Sequence, residues 1–241
     1  MERWAIHIDI EGFSTLWDKE DQVLWSLGEL MRAIFRIGRE CYPVSPERIF
    51  AHQLGDGFLI ISDFGERSLE RAITITVALM QHVGSSGRLA KAAIAEGELA
   101  DIQGCYPEEL LVFLKSDHTV SLGMGLMTIF PVMGTALIRS VALAKASPRG
   151  PLVTIEHSKA GRIPPHVPVR PIDGKDLLSV DWVHMNTELL KHIQSCARLS
   201  ISSPEKLEAM LVAYCGRYQL PKDWVENTKN LLGVGNLSSR A

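Results

Sequence analysis

The chain has 241 residues, 46% hydrophobic and 22% charged, with 25 Lys+Arg against 28 Asp+Glu, a formal charge of −3 and a pI near 6.2. A chain of this length buries a substantial core without disulfide or metal staples, and one domain, or one domain plus a small appendage, is the expected count. The mild acidity excludes the electrostatic footprint of a duplex nucleic-acid binder, and no apolar run approaches the roughly 20 residues that span a bilayer.

Arg3 to Ile10 alternates and is rich in Ile, which suits a strand; it carries no basic leader and no cleavage site, so no secretory signal is expected. From Ser14 to about Gly38, Leu16, Val23, Leu24, Leu27, Leu30, Met31, Ile34 and Phe35 recur at three and four, predicting a helix with one apolar face. Pro43 and Pro46 end it. Arg48–Leu54 and Phe58–Ser62 flank Gly55-Asp56-Gly57 and read as a hairpin with a tight glycine turn. Ser68 to Val83 reads as a helix capped by Ser68, and Leu89 to Ala95 as a strand. The stretch from Glu98 to Pro131 has no period and predicts no element. Thr135–Ala146 is a short helix, and Leu152–Glu156 a strand.

The order β-α-β-β-α-β, then helix and strand, is the α+β, ferredoxin-like split βαβ pattern, with helices expected on one face of an antiparallel sheet. The predicted layout is a first domain over 1–160, a Pro-rich connection over 161–186 and a helical extension over 187–235 of about three short helices. Cys41, Cys105, Cys196 and Cys215 form no CxxC pair, so reduced thiols in a cytoplasmic protein are expected and a zinc site is not.

Chemistry concentrates at two places. In His7-Ile8-Asp9-Ile10-Glu11-Gly12-Phe13-Ser14, an aspartate ends a buried strand and a glycine turn opens a helix, whose backbone N–H groups suit a phosphate. In Leu54-Gly55-Asp56-Gly57 a second aspartate sits at the hairpin tip. Each motif alone has a plainer explanation, a helix cap or a turn. In the split βαβ fold, however, strand one and this hairpin are neighbours. Asp9 and Asp56 then converge, and two hard oxygen ligands beside a phosphate cradle suit Mg²⁺ or Mn²⁺.

Asp9-Ile-Glu-Gly-Phe-Ser followed by Leu-Gly-Asp56-Gly resembles the class III nucleotidyl cyclase domain, with its Asp-x-x-Gly-Phe-[Ser/Thr] turn and Gly-Asp hairpin. The resemblance runs through Lys91–Gly97 and the Gly134–Ala146 helix, roughly two thirds of the chain. It implies two ions on Asp9, Asp56 and the Ile10 carbonyl, with Gly12, Phe13 and Ser14 in the phosphate-binding turn. It also implies a homodimer with sites at the interface, metals coming from one copy and helix residues from the other.

The departures are specific. The family's transition-state Asn and Arg correspond to Ile138 and Ala142, the purine-selecting Lys or Glu to His52, and its acidic partner to Pro131. Gly134-Thr-Ala-Leu-Ile-Arg and Ala146-Ser-Pro-Arg149 are similar to the stand-alone pyrimidine cyclases of bacterial Pycsar anti-phage systems, as is Lys206–Tyr214. That resemblance implies UTP or CTP as substrate, cyclic UMP or cyclic CMP as product, and a separate effector that reads it. With no fused sensor or membrane segment expected, regulation would come from outside the chain.

Arg139 lies one helical turn before Ala142 and could replace the lost arginine; a solvated helix arginine is the equal alternative. His52 is a base reader or a structural histidine. Glu11 is expected to face solvent, with a supporting role at the metal open. Arg88 and Lys91 are expected at the surface. His7 is expected on the sheet face opposite Ile6 and Ile8, with no role assigned. The competing reading of the whole chain is a catalytically inactive cyclase-like module that binds nucleotide or a partner.

Overall fold

The computed structural model describes residues 2–13, 22–44 and 47–234. Strands β1 (Arg3–Ile10), β2 (Ile49–Leu54), β3 (Gly57–Ser62) and β4 (Ala90–Gly97) form the middle of a seven-stranded sheet. β9 (Val153–Glu156), β10 (Val169–Pro171) and β11 (Leu177–Val180) complete it, in the order β10-β11-β9-β4-β1-β3-β2. All neighbours are antiparallel except β4 and β9. The stretch from Glu98 to Pro131, which has no sequence period, holds the short strands β5 (Ala100–Asp101), β6 (Thr119–Leu122) and β7 (Gly125–Thr128), and β8 (Val132–Met133) follows it. They pair as two small ladders outside the main sheet.

The alternation of β1 decides the layers. Trp4, Ile6, Ile8 and Ile10 point into the main core, against α1 (Gln22–Arg36) and α2 (Glu70–Ser85). Ala5 points the other way, onto Leu59, Ile61, Ala136 and Leu137 beneath the helix Thr135–Ala146. The expectation of helices on one face therefore needs correction, because a small second core seats this last helix on the opposite face. Gly97 makes that seat possible: a Cβ there would lie 2.5 Å from the Ala136 nitrogen.

Residues 14–21, the first part of the predicted helix, lie outside the described residues. Its described part continues into a π-helical turn, Ile37–Cys41. Leu27, Leu30 and Ile34 are buried, whereas Leu24 and Phe35, expected on the same apolar face, are 52% and 62% exposed. The cap of α2 falls at Leu69, one residue beyond Ser68, whose Oγ accepts from the Glu70 N–H at 3.4 Å.

The stretch 161–186, expected only as a connection, contributes β10 and β11 to the sheet. α2 is buried from Ala72 to Gly84 because α5 (Glu188–Cys196) and α6 (Pro204–Arg217) cover the side turned away from the sheet. A helix apolar all round must be covered all round. Between them stand α3 (Glu108–Leu111) and α4, the Thr135–Ala146 helix; α7 (Lys222–Leu232) closes the series. The Gln81 amide donates to the Trp182 carbonyl at 2.8 Å and accepts from Gln194 at 2.6 Å, so the extension and the sheet share one hydrogen-bonded, apolar core. Leu211→Ala, in the buried centre of α6, is accordingly expected to cost about 2–5 kcal/mol of global stability. Urea unfolding followed by circular dichroism should show a single transition at lower midpoint, not the early loss of a separate tail.

Candidate active site

β1 places Asp9 opposite Gly57 on one side and Lys91 on the other. Gly57 fits because a Cβ there would sit 2.7 Å from the Ile8 carbonyl oxygen and 3.0 Å from the Asp9 Cβ. The hairpin turns through Gly55, at φ +62, whose carbonyl accepts from the Gln53 amide at 2.9 Å. Asp56 is thereby set at the hairpin tip next to the end of β1.

Burial pushes the Asp9 carboxyl up to about 7, and the neighbouring Glu11 and Asp56 carboxylates push the same way, while Lys91 opposes them. Excess negative charge on hard oxygens, only partly balanced by a lysine, is what a divalent cation relieves. Among the described residues no group of three or more His, Cys, Asp or Glu side chains gathers as a metal cage. The donors on offer are therefore two aspartates and backbone oxygen. That suits Mg²⁺ or Mn²⁺, which complete their coordination with water and phosphate oxygens.

The Ile10 carbonyl has a defined direction. The Glu11 N–H donates to the Leu89 carbonyl at 2.9 Å, on the β4 side. In a trans peptide the C=O and N–H point opposite ways, so the Ile10 carbonyl is directed away from β4, towards the side of the Asp56 hairpin. Gly12 follows in the left-handed region at φ +74. The Phe13 ring packs against the main core. Ser14 lies outside the described residues.

Three neighbours differ from expectation. Glu11 does not face solvent: its carboxylate accepts from the Trp224 indole N–H at 2.9 Å, and burial raises its pKa. Lys91 is half-buried and donates to the Ser147 carbonyl at 3.3 Å, close to Asp9 and Glu11, with its pKa lowered by burial. Arg88 is 2% exposed and donates to the Tyr218 hydroxyl at 2.8 Å. Tyr218, at the end of α6, covers Arg88, and the Ser147 carbonyl just beyond α4 takes Lys91; no local pattern reveals either contact. His7 shares the Asp9 face, as its alternation implied. Burial lowers its pKa, as do Lys145 and Lys91, while Asp56 acts against them.

His52 and Pro131, distant in sequence, line one cavity of about 400 Å³ together with Arg3, Asp101, Gln103 and His118. The His52 ring meets Phe130 edge-on at 4.1 Å. His52 Nε2 and His118 Nδ1 are both buried without a hydrogen-bond partner. His118 has φ +59, an uncommon backbone for a non-glycine residue, and was not legible in the sequence because its segment has no period. Ile138 and Ala142 line a separate, open apolar groove of about 520 Å³ with Leu54, Phe130, Met133 and Val141.

Arg139 stands apart from Asp9. Its guanidinium donates to the Glu96 carbonyl at 3.1 Å and lies 3.8 Å from Glu2. Glu96 pairs with Trp4, five residues from Asp9 along β1; at about 3.4 Å per residue, that is roughly 17 Å away. Within one copy Arg139 and the two aspartates do not meet.

No family model matches the chain, and no curated protein matches it. Among solved structures it is similar to the dimeric guanylyl cyclase domain of the RhoGC fusion protein from the aquatic fungus Blastocladiella emersonii. The TM-score is 0.50 at 12% identity, covering 74% of this chain and 92% of that one. The chain has the fold of a nucleotidyl cyclase domain. It also matches the guanylyl cyclase Cya2 at TM-score 0.43 and 13% identity, over 75% of this chain and 92% of that one. A bacterial light-regulated adenylyl cyclase matches at TM-score 0.47 and 11% identity, over 86% of this chain and 58% of that one. No helix among the described residues is long and apolar enough to cross a membrane, and the four cysteines are free.

Proposed function

We propose that this chain is a nucleotidyl cyclase that converts a ribonucleoside triphosphate, UTP or CTP in preference to purines, to its 3′,5′-cyclic monophosphate and pyrophosphate. The observation that carries this reading is the pairing of Asp9 with Gly57, which sets Asp56 beside the Asp9 carboxylate within a cyclase-domain fold. Asp9, Asp56 and the Ile10 carbonyl hold two divalent ions. When bound, Mg²⁺ or Mn²⁺ lowers the pKa of the attacking hydroxyl and neutralises the triphosphate. The ribose 3′-oxygen bonds to the α-phosphorus, the bond from that phosphorus to the bridging oxygen breaks, and pyrophosphate leaves while the hydroxyl proton passes to solvent. The phosphate-binding role of Gly12, Phe13 and Ser14 rests on the resemblance of the Asp9–Ser14 turn to the cyclase family's.

The pyrimidine preference is supported by the cavity around His52 and Pro131, where the lysine and acid that select a purine are replaced. His52 and His118 both line that cavity. The homodimer is supported by the groove under Ile138, where Leu54, Met133 and Ile138 are 44%, 46% and 61% exposed and call for cover. It is also supported by the separation of Arg139 from the aspartates, which a second copy closes. A role as a second-messenger source in anti-phage defence, with a separate effector and a cytoplasmic site of action, rests on the resemblance of the Gly134–Arg149 segment.

The test is to incubate the purified chain with each of ATP, GTP, CTP and UTP, with Mn²⁺ or Mg²⁺, and to detect cyclic products by mass. A cyclic pyrimidine from the wild type, absent in a folded Asp9→Ala variant, is the expected result. A cyclic purine keeps the cyclase and removes the base assignment. One observation favours the inactive-module reading: Ile138 and Ala142 make apolar what is polar in an active site. A folded dimer giving no product from all four nucleotides would establish it.

A further inference from the structure

The C-terminal extension reaches the first turn of the site. α7 packs against the end of α4. The Asn227 amide donates to the Arg149 carbonyl at 2.9 Å, and Arg149 lies 3.6 Å from Asp223. A Cβ on Gly150 would come within 3.0 Å of the Thr228 hydroxyl. Trp224, the first large residue of α7, is 2% exposed, and its ring stacks on Tyr214 of α6 at 5.9 Å between centroids. Its indole N–H donates to the Glu11 carboxylate at 2.9 Å, across 213 positions of sequence.

We propose that Trp224 is a positioning residue for the metal turn, in which its indole fixes Glu11 and thereby aims the Ile10 carbonyl at the ions. The inference deepens the metal reading of Asp9, Ile10 and Asp56 and rests on it. Residue 11 is held at two points, its N–H on the Leu89 carbonyl and its carboxylate on the indole. The peptide between residues 10 and 11 is one rigid plane, so holding its nitrogen end fixes the oxygen at the other. Without the indole, the Glu11 carboxylate is left buried without that donor. It then either turns to Lys91, which is already close to it, or moves towards solvent, and either motion rotates the plane that carries the Ile10 oxygen. The Glu11 N–H bond to the Leu89 carbonyl still anchors that plane, and the rotation is the tilt this bond allows ahead of Gly12 in the left-handed region.

The experiment is a Mn²⁺ titration of the full chain, with free Mn²⁺ read by electron paramagnetic resonance and no nucleotide present. Trp224→Phe keeps the ring on Tyr214 and removes only the donor. About tenfold weaker Mn²⁺ binding is expected, the low end of what loss of a ligand's supporting hydrogen bond does, with the melting temperature and the unfolding transition little changed. Glu11→Ala gives the second arm: Trp224→Phe added to Glu11→Ala should weaken Mn²⁺ binding no further, because the indole then has nothing to hold. If Trp224→Phe binds Mn²⁺ as the wild type does, or if the two substitutions add, the indole does not act through Glu11 and the inference fails. If the wild type itself binds no Mn²⁺, the metal reading falls and takes this inference with it. The wild-type arm thus separates the two failures.

Discussion

Asp9→Asn is expected to raise the melting temperature of the metal-free protein at neutral pH while abolishing its response to Mn²⁺. The reason is the site's charge. Asp9 ionises near 7 in the folded chain against an ordinary 3.8, chiefly from burial and then from the Glu11 and Asp56 carboxylates beside it. A carboxyl with a raised folded pKa binds its proton more tightly when folded than when unfolded. Below about pH 4 both states are protonated and the group contributes nothing. Between about 4 and 7 the unfolded state gives up the proton first, so stability falls as pH rises; above about 7 the loss is complete. Three pH units correspond to a loss on the order of 4 kcal/mol, an upper bound because solvent still reaches part of the Asp9 carboxyl. Asparagine removes that charge and keeps the shape, so the gain at pH 8 is several degrees and vanishes near pH 4. Differential scanning fluorimetry from pH 4 to 8, in chelator, measures both ends. A flat difference between wild type and variant across that range would contradict the assignment.

Mn²⁺ reverses the order. An ion that binds only the folded state stabilises it by RT ln(1 + [L]/Kd), about 2.7 kcal/mol at a hundredfold excess over Kd. The wild type should therefore rise in melting temperature with Mn²⁺, and rise more at pH 8 than at pH 6, because at pH 6 the ion must first displace the Asp9 proton. Asp9→Asn should rise at neither pH. A group that weakens the fold and is indispensable for the ligand is a mark of a functional residue rather than a structural one.

The local elements were largely legible because their signals are local. The alternation of Arg3–Ile10 marks both the strand and its faces, and Gly55-Asp56-Gly57 marks the hairpin, whose Gly57 pairs with Asp9 of β1. Thr135–Ala146 came out residue for residue, bounded by Gly134 before it and Ser147-Pro148 after it. What stayed hidden depends on distant packing. Glu11 looks like a solvated turn residue until Trp224 arrives from α7. Arg88 looks like a surface cation until Tyr218 covers it. β10 and β11 were missed because a stretch with Pro164, Pro165, Pro168 and Pro171 reads as loop, and β10, ending on Pro171, is an edge strand where proline is tolerated. Leu24 and Phe35 were placed with the buried stripe because periodicity locates an apolar face but not what covers it.

The largest expected effect concerns the dimer. Asp56→Ala and Arg139→Ala should each abolish cyclase turnover alone and regain it when mixed. In one copy Arg139 is bound to the Glu96 carbonyl, at the end of β1 remote from Asp9, so the proposed role requires that it come from a partner. In a two-fold dimer each site then takes its aspartates from one copy and its arginine from the other. A mixed dimer of the two variants contains one site with both defects and one with neither. Random exchange makes half the dimers mixed, with one good site in two, so recovered activity approaches about a quarter of the wild-type value per chain. The measurement is cyclic product formation after co-incubation, titrated across mixing ratios, with the maximum at equal amounts. Failure to recover activity, with exchange verified by tagged copies, would mean that Arg139 and Asp56 act within one copy or that Arg139 is the solvated helix residue. An active Arg139→Ala alone would decide for the latter. The distinction reaches beyond this residue, because the helix that carries Ile138 and Ala142 holds no other arginine that could stabilise the transition-state charge.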